Sequence, residues 1–198
     1  MSDVTTRELT VADIPAIRDV INTRKVLMTK SAFDPTAYGN SLPQLFQMGF
    51  RYFGVFEDGV LDGFHQFAFP QDPISGLRCA IGDINVTRAV PNRAKNEYGF
   101  SVNNTALFNF ITTTLEAEKI FCWWLVYPTA FDPPLLKNKE DIRSGGAYTR
   151  EILTVIPAHG EYSGEYANFV RRWLVRGPFQ EDINLIRLVK AGHENDGT

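Results

Sequence analysis

The dipeptide Asp58-Gly59 constrains this chain more than any other feature. It sits between two runs rich in aromatic and β-branched residues, Phe50 to Glu57 and Val60 to Phe69. A two-residue Asp-Gly connection takes up positive φ readily and matches the twist of paired strands, so the two runs form a β-hairpin. A loop over 70–77 leads to a third extended run, Arg78 to Arg88, with no helical stripe in between. Three strands in succession make an antiparallel meander. Farther on, Phe121 to Tyr127 reads FCWWLVY, apolar on both faces. Such a strand belongs in the middle of a sheet that is covered on both sides.

The segments around this sheet carry a helical period. After a short strand, Val4 to Leu9, Thr10 and Asp13 have the spacing of a capping box, and Ile14, Ile17 and Ile21 follow on one helical face. Pro15 falls early enough in that helix to be tolerated. Residues 28–49 read as irregular, with one short helical stretch around Leu42 to Met48. Asn103 or Asn104 is placed to cap a helix carrying Leu107, Phe108, Ile111 and Leu115, although Thr112, Thr113 and Thr114 are stiff, poor helix formers. A helical turn is expected around Leu135 to Ile142, and a strand over Tyr148 to Ile156. Tyr166, Phe169, Val170, Trp173 and Leu174 make an amphipathic helix that Ser163 caps and Arg176-Gly177-Pro178 stops. Ile183 to Val189 is the last strand.

At 198 residues and 44% hydrophobic, the chain has enough apolar side chains for one core and no composition shift that would split it. Residues 1–191 are expected to form a single domain, with 192–198 a polar tail. The fold class is α/β: a mixed, mostly antiparallel central sheet flanked by helices. A net charge of −3 supplies no basic field for nucleic acid and no polybasic patch for a membrane surface. The longest apolar run, Ile120 to Tyr127, falls far short of the ~20 residues of a membrane helix. Met1-Ser2-Asp3 lacks the basic flank and apolar stretch of a signal peptide. Two cysteines, Cys79 and Cys122, with three scattered histidines, read as neither a zinc site nor a disulfide framework. A cytoplasmic, reducing location is expected.

Three stretches carry a resemblance to a known family. Arg7 to Arg18 (RELTVADIPAIR) is similar to the opening strand and helix of the GCN5-related N-acetyltransferases (GNAT). Phe53 to Phe64 (FGVFEDGVLDGF) resembles the hairpin of their second and third strands, and Ile84 to Asn92 (INVTRAVPN) the end of their fourth strand. The resemblance implies a GNAT-like fold over roughly residues 4–190, and an acyl-CoA-dependent N-acyltransferase that moves an acetyl group from acetyl-CoA to a small-molecule or protein amine. In that family a glycine-rich stretch after the fourth strand lets backbone N–H groups approach the cofactor's pyrophosphate. The corresponding residues here are Asn92 to Asn103 (NRAKNEYGFSVN). Asn96 and Tyr98 stand where the family has glycine and a small residue, and Gly99 comes one position later. The resemblance nonetheless implies cofactor contacts from Val86, Arg88, Arg93, Lys95, Asn96, Gly99 and Phe100.

Strand alternation puts Cys79, Ile81, Asp83, Asn85 and Thr87 on one face and Ala80, Gly82, Ile84 and Val86 on the other. A mid-strand carboxylate makes Asp83 the candidate general base. Tyr127 and Tyr148, which bracket the segment where the family carries its tyrosine, are the candidate acids. Each has a structural reading: Asp83 as an ordinary polar residue of a solvated face, the tyrosines as core packing, and Arg88, Arg93 and Lys95 as a solvated basic loop. His65 reads as a core histidine, His159 as a turn residue, and Cys79 and Cys122 as small buried side chains. Aromatic residues make up 13% of the chain. Those assigned to loops (Phe33, Tyr38, Phe131, Phe179) suit a protein partner or a homo-oligomer. A non-catalytic GNAT-like binding or structural protein, for instance a component of a larger viral assembly, is the alternative function.

Overall fold

The computed structural model describes residues 2–23, 34–88, 102–128, 148–159, 164–173 and 181–193. Seven strands form one sheet: β1 (Val4–Leu9), β2 (Arg51–Glu57), β3 (Val60–Ala68), β4 (Ala80–Thr87), β5 (Cys122–Pro128), β6 (Tyr148–Ile156) and β7 (Ile183–Lys190), in the spatial order β1-β2-β3-β4-β5-β7-β6. The hairpin turn is the expected one, with φ of 50° at Asp58 and 79° at Gly59. Among the described residues, four helices flank the sheet: α1 (Ile14–Asn22), α2 (Pro35–Gln47), α3 (Val102–Ala117) and α4 (Ala167–Trp173). The expected turn at 135–142, and the cap and stop proposed for the last helix at Ser163 and 176–178, lie outside the described residues.

Neighbouring residues of β5 separate the two layers. Trp124 points into a core built by α1, α2 and α4 with Ile17, Leu42, Phe64 and Ile84, whereas Trp123 points into the core under α3 with Phe53, Phe67, Leu107 and Ile111. Both tryptophans are buried, so the run is apolar on both faces because both faces are covered. Phe169 of α4 meets the Trp124 ring edge-on at 4.8 Å.

The capping box at Thr10 and Asp13 forms as its spacing predicts, preceding α1 by a single 3₁₀ turn. Helix α2 departs from expectation: it runs from Pro35, with the Asp34 carboxylate accepting from the N–H groups of Thr36 and Ala37. Pro43 inside it has no N–H to give the carbonyl of Gly39 one turn back. Arg18 of α1 supplies the missing donor, its Nε bonding Gly39 O at 2.9 Å. A helix that reads as broken in isolation is completed by its neighbour. Tyr38 therefore lies within α2, buried, donating to Gln66 Oε1, and not on a surface loop. At the other end His193 stacks on Phe121 at 3.9 Å, so packed structure continues past residue 191.

Antiparallel ladders run almost the full length of every neighbouring pair except one. The parallel pair β4–β5 is joined only through Ala80 with Trp123 and Ile81 with Trp124. Two antiparallel blocks, β1 to β4 and β5-β7-β6, thus share a very short seam. Beside it sits Asp72, in the loop before β4, 1% exposed. Its carboxylate accepts from Trp124 Nε1 of β5 (3.0 Å), from Arg187 Nη2 of β7 (2.7 Å) and from Ser75 Oγ (2.7 Å). Burial alone pushes the Asp72 carboxyl up, but the donors from Arg187 and Ser75 outweigh it and hold the group below its ordinary range.

Replacing one partner of a buried ion pair leaves the other desolvated and alone. Asp72→Ala is expected to cost about 3–5 kcal/mol in urea denaturation. Because the folded carboxyl titrates below the unfolded one, its contribution is complete above about pH 4 and disappears as the pH falls further. Asp72→Asn should therefore lose stability less steeply than the parent below about pH 4.

Candidate active site

Beyond the seam, Gly82 to Thr87 of β4 pair only with β3, and Leu125 to Pro128 of β5 only with β7. The two strands run in the same direction, so both C-terminal ends, Thr87-Arg88 and Tyr127-Pro128, lie at one end of the sheet. Along this gap, among the described residues, no strand pairs with the main-chain groups that would have closed a ladder. The gap begins at Gly82. A Cβ there would stand 2.8 Å from His65 Nε2 and 2.9 Å from Leu125 Cδ2 and Phe67 Cε1, so these side chains pack directly over the Gly82 backbone and leave no room for a larger residue.

The strand bulges at the same place. Phe67 pairs with Gly82 and His65 with Asn85, two steps on β3 against three on β4. Asp83 and Ile84 together oppose the single residue Gln66. The extra residue shifts the phase of the strand, which corrects the alternation read from the sequence. Ile81, Ile84 and Val86 all enter the core beneath α1 and α2, while Ala80 enters the other. Asp83 lies on a bulge and not in a regular strand, a location where strands often re-aim side chains at functional sites.

The fold separates the two candidate tyrosines. Tyr127 pairs with Asn184 at the start of β7, at the open end of the gap. Tyr148 pairs with Lys190 at the other end of β7, about 20 Å away at a rise of ~3.3 Å per residue. Its hydroxyl donates to Glu116 Oε1 at 3.0 Å, and Lys190 Nζ donates to Oε2 of the same carboxylate at 2.6 Å. Burial, with the Glu116 charge adding to it, pushes the Tyr148 phenol up. Tyr148 is a packing residue under α3 and does not face the gap.

The cofactor-binding candidates divide. Val86 has its side chain in the core, leaving only its main chain for the gap. Arg88 makes internal bonds: Nε donates to Leu61 O at 2.8 Å and Nη2 to the Asp19 carboxylate of α1, while its own N–H bonds Asp62 O. Arg93, Lys95, Asn96, Gly99 and Phe100 lie outside the described residues, as do Phe33, Phe131 and Phe179. His65 is buried against Phe67, as expected of a core histidine, and His159 is exposed with φ of 53°.

One constellation has no signal in the sequence. A second bulge, where Val55 pairs with Gly63 and Phe56 with Leu61, makes Asp62 an extra residue of β3. The Asp62 carboxylate meets Asn103 in the first turn of α3, and Asn103 Nδ2 donates at 3.0 Å both to Asp62 Oδ2 and to Glu57 Oε2. Asn103 is thus inside the helix, which opens at Val102, and its side chain ties that end of α3 to the hairpin. Among the described residues, no group of three His, Cys, Asp or Glu can hold a metal ion, and no helix is long and apolar enough to cross a membrane.

The fold is shared with solved N-acetyltransferases. An N-acetyltransferase from Staphylococcus aureus Mu50 superposes with a TM-score of 0.57 at 13% identity, covering 93% of this chain and 96% of that one. The ribosomal-protein-S18-alanine N-acetyltransferase from Escherichia coli gives 0.57 at 14% identity, with 98% of each chain covered. The structure of yncA from Salmonella typhimurium, solved with its cofactor acetyl-CoA, gives 0.56 at 13% identity over 96% of each. At these identities the likeness is one of fold. No family model and no curated protein sequence matches the chain.

Arg88→Met removes donors from the Leu61 carbonyl and the Asp19 carboxylate. A loss of about 1–3 kcal/mol is expected, read as a lower urea midpoint. Arg88→Lys should recover only part of it, because one ammonium cannot reproduce the guanidinium fork.

Proposed function

We propose that this chain is an acyl-CoA-dependent N-acyltransferase working in the gap between β4 and β5. The observation that carries the reading is the pair of parallel strands that are joined through only two residue pairs, beyond which the described residues of β4 and β5 are not paired with each other. A chain bearing amides, such as the pantetheine arm of acetyl-CoA, can add to such an edge as a strand would. The residues that would meet its diphosphate are the main chain of Arg93 to Phe100, with Arg93 and Lys95 as cations. Arg88 is left out of that set because its Nε and Nη2 already bond Leu61 O and the Asp19 carboxylate.

Within this reading Asp83 takes the proton from the attacking amine, and Tyr127 donates its hydroxyl proton to the departing thiolate sulfur. Asp83 lies on the β4 bulge, beyond the last residue pair that joins β4 to β5. Tyr127 retains the acid role because it stands at the open end of β5, unlike Tyr148. The acceptor is an amine, on a small molecule or on a protein.

A second reading is favoured by the sequence of the loop after β4. Asn96 and Tyr98 stand in the sequence where the GNAT pattern has glycine and a small residue, and a side chain at such a position would crowd a diphosphate. In that case the chain is a GNAT-like binding or structural protein with an altered phosphate loop, acting through a protein partner or a second copy of itself.

The two readings separate by melting the protein with and without acetyl-CoA. Ligand at ~100 times its Kd adds about 2.7 kcal/mol of apparent stability, which for a chain this size raises Tm by roughly 5–10 °C. An unchanged Tm at millimolar acetyl-CoA leaves the second reading. Where turnover is measured with an amine acceptor, Asp83→Asn and Tyr127→Phe should each lower kcat by about 10²-fold or more. Tyr148→Phe should instead cost about 1 kcal/mol of stability through its lost hydrogen bond, with kcat unchanged.

A further inference from the structure

The two cysteines, far apart in sequence, come together at the seam. Ala80 of β4 pairs in parallel with Trp123 of β5, so the residues immediately before them, Cys79 and Cys122, are neighbours in the same register. Both are free thiols, and both are buried in the core under α1, α2 and α4. Adjacent strands run about 4.8 Å apart, inside the roughly 4.4–6.8 Å between Cα atoms that a disulfide spans. Two thiols on one face of one sheet, at that spacing, have no role in the acyl-transfer chemistry.

We propose that Cys79 and Cys122 form a modification site: a dithiol that a two-electron oxidant such as hydrogen peroxide converts to a disulfide, stapling β4 to β5 at the closed end of the gap. Cys122 reacts first, since Cys79 is fully enclosed and Cys122 retains slight exposure. The Cys122 thiolate attacks peroxide; the O–O bond breaks, one oxygen leaves as water after protonation, and Cys122 becomes a sulfenic acid. The Cys79 sulfur then attacks the sulfenic sulfur, forming the S–S bond and breaking the S–O bond. The hydroxyl departs as a second water, carrying the proton from Cys79. In sum, two thiols and one peroxide give one disulfide and two waters.

The surroundings set the pace. Burial pushes both thiols up, Cys122 to about 12, and the Asp72 carboxylate opposes the thiolate while Arg187 favours it. The thiolate is the reactive form, so oxidation is slow compared with that of an exposed cysteine and accelerates with pH. The cross-link spans the β4–β5 seam between the two antiparallel blocks, where it restrains the unfolded chain and the parting of the strands together.

The test uses the intact folded chain, treated with hydrogen peroxide, alkylated and digested without reduction. A peptide joining the segments around Cys79 and Cys122, lost on dithiothreitol treatment, is the expected result. The oxidised protein should melt about 5–10 °C higher than the reduced form. Two thiols that remain alkylatable after prolonged treatment would overturn the proposal, as would sulfenic or sulfinic acid on Cys122 without a cross-link. A linked peptide with no rise in Tm would overturn the stapling role. These measurements need no variant, and Cys79→Ser and Cys122→Ser, where they fold, should each abolish the linked peptide.

Discussion

The Asp72 carboxylate holds together two halves of a sheet that have almost no ladder between them. Every other neighbouring pair of strands is joined along most of its length, but β4 and β5 share only two residue pairs. Parallel pairing is slightly weaker per residue than antiparallel, so a seam this short needs another tie. Asp72 supplies it from the loop before β4, reaching Trp124 on β5 and Arg187 on β7. A buried ion pair is weak evidence for net stability, because desolvation offsets much of the attraction. Its value here is geometric: it fixes where the two blocks meet, and so where they part.

Helix α3 is anchored across the opposite face by polar contacts at its two ends. Asn103 in the first turn bonds Glu57 and Asp62 on the hairpin, and Glu118, just after the last turn, pairs with Arg51, which also grips Glu8 of β1 through two hydrogen bonds. Between those ends Leu107, Phe108, Ile111 and Leu115 pack on Trp123 and its neighbours. The middle of the helix therefore supplies burial and the ends supply direction, pointing its N-terminus toward the open end of the gap. Thr112 and Thr114, poor helix formers, are accommodated by donating to the carbonyls of Phe108 and Phe110 one turn back.

The same economy explains why local rules failed where they did. Pro43 breaks a helix by every local criterion, yet α2 continues because Arg18 bonds the carbonyl that Pro43 cannot reach. Strand alternation predicts faces correctly along β5, where Trp123 and Trp124 separate the two cores, and fails along β4, where a bulge at Asp83 changes the phase. A bulge is set by what the neighbouring strand and the packing require, and nothing in the residues Gly82 to Asn85 announces one. Likewise Arg88 reads as a free cation near a loop until α1 brings Asp19 against it.

What the sequence determined by itself is what short-range chemistry controls: the Asp58-Gly59 turn, the Thr10–Asp13 capping box, the extent of β6, the covered central strand and hence the order of elements that carries the GNAT resemblance. Turn conformation, capping and periodicity depend on residues within a few positions of one another, so they can be read locally. Only the tertiary structure decided which distant groups meet: Asp72 with Arg187, Asn103 with Asp62, Cys79 with Cys122, and Tyr148 with Glu116 and so away from the gap. Those pairings depend on strand register, bulges and the packing of layers, which are settled by the whole core at once and leave no mark in the neighbourhood of either residue.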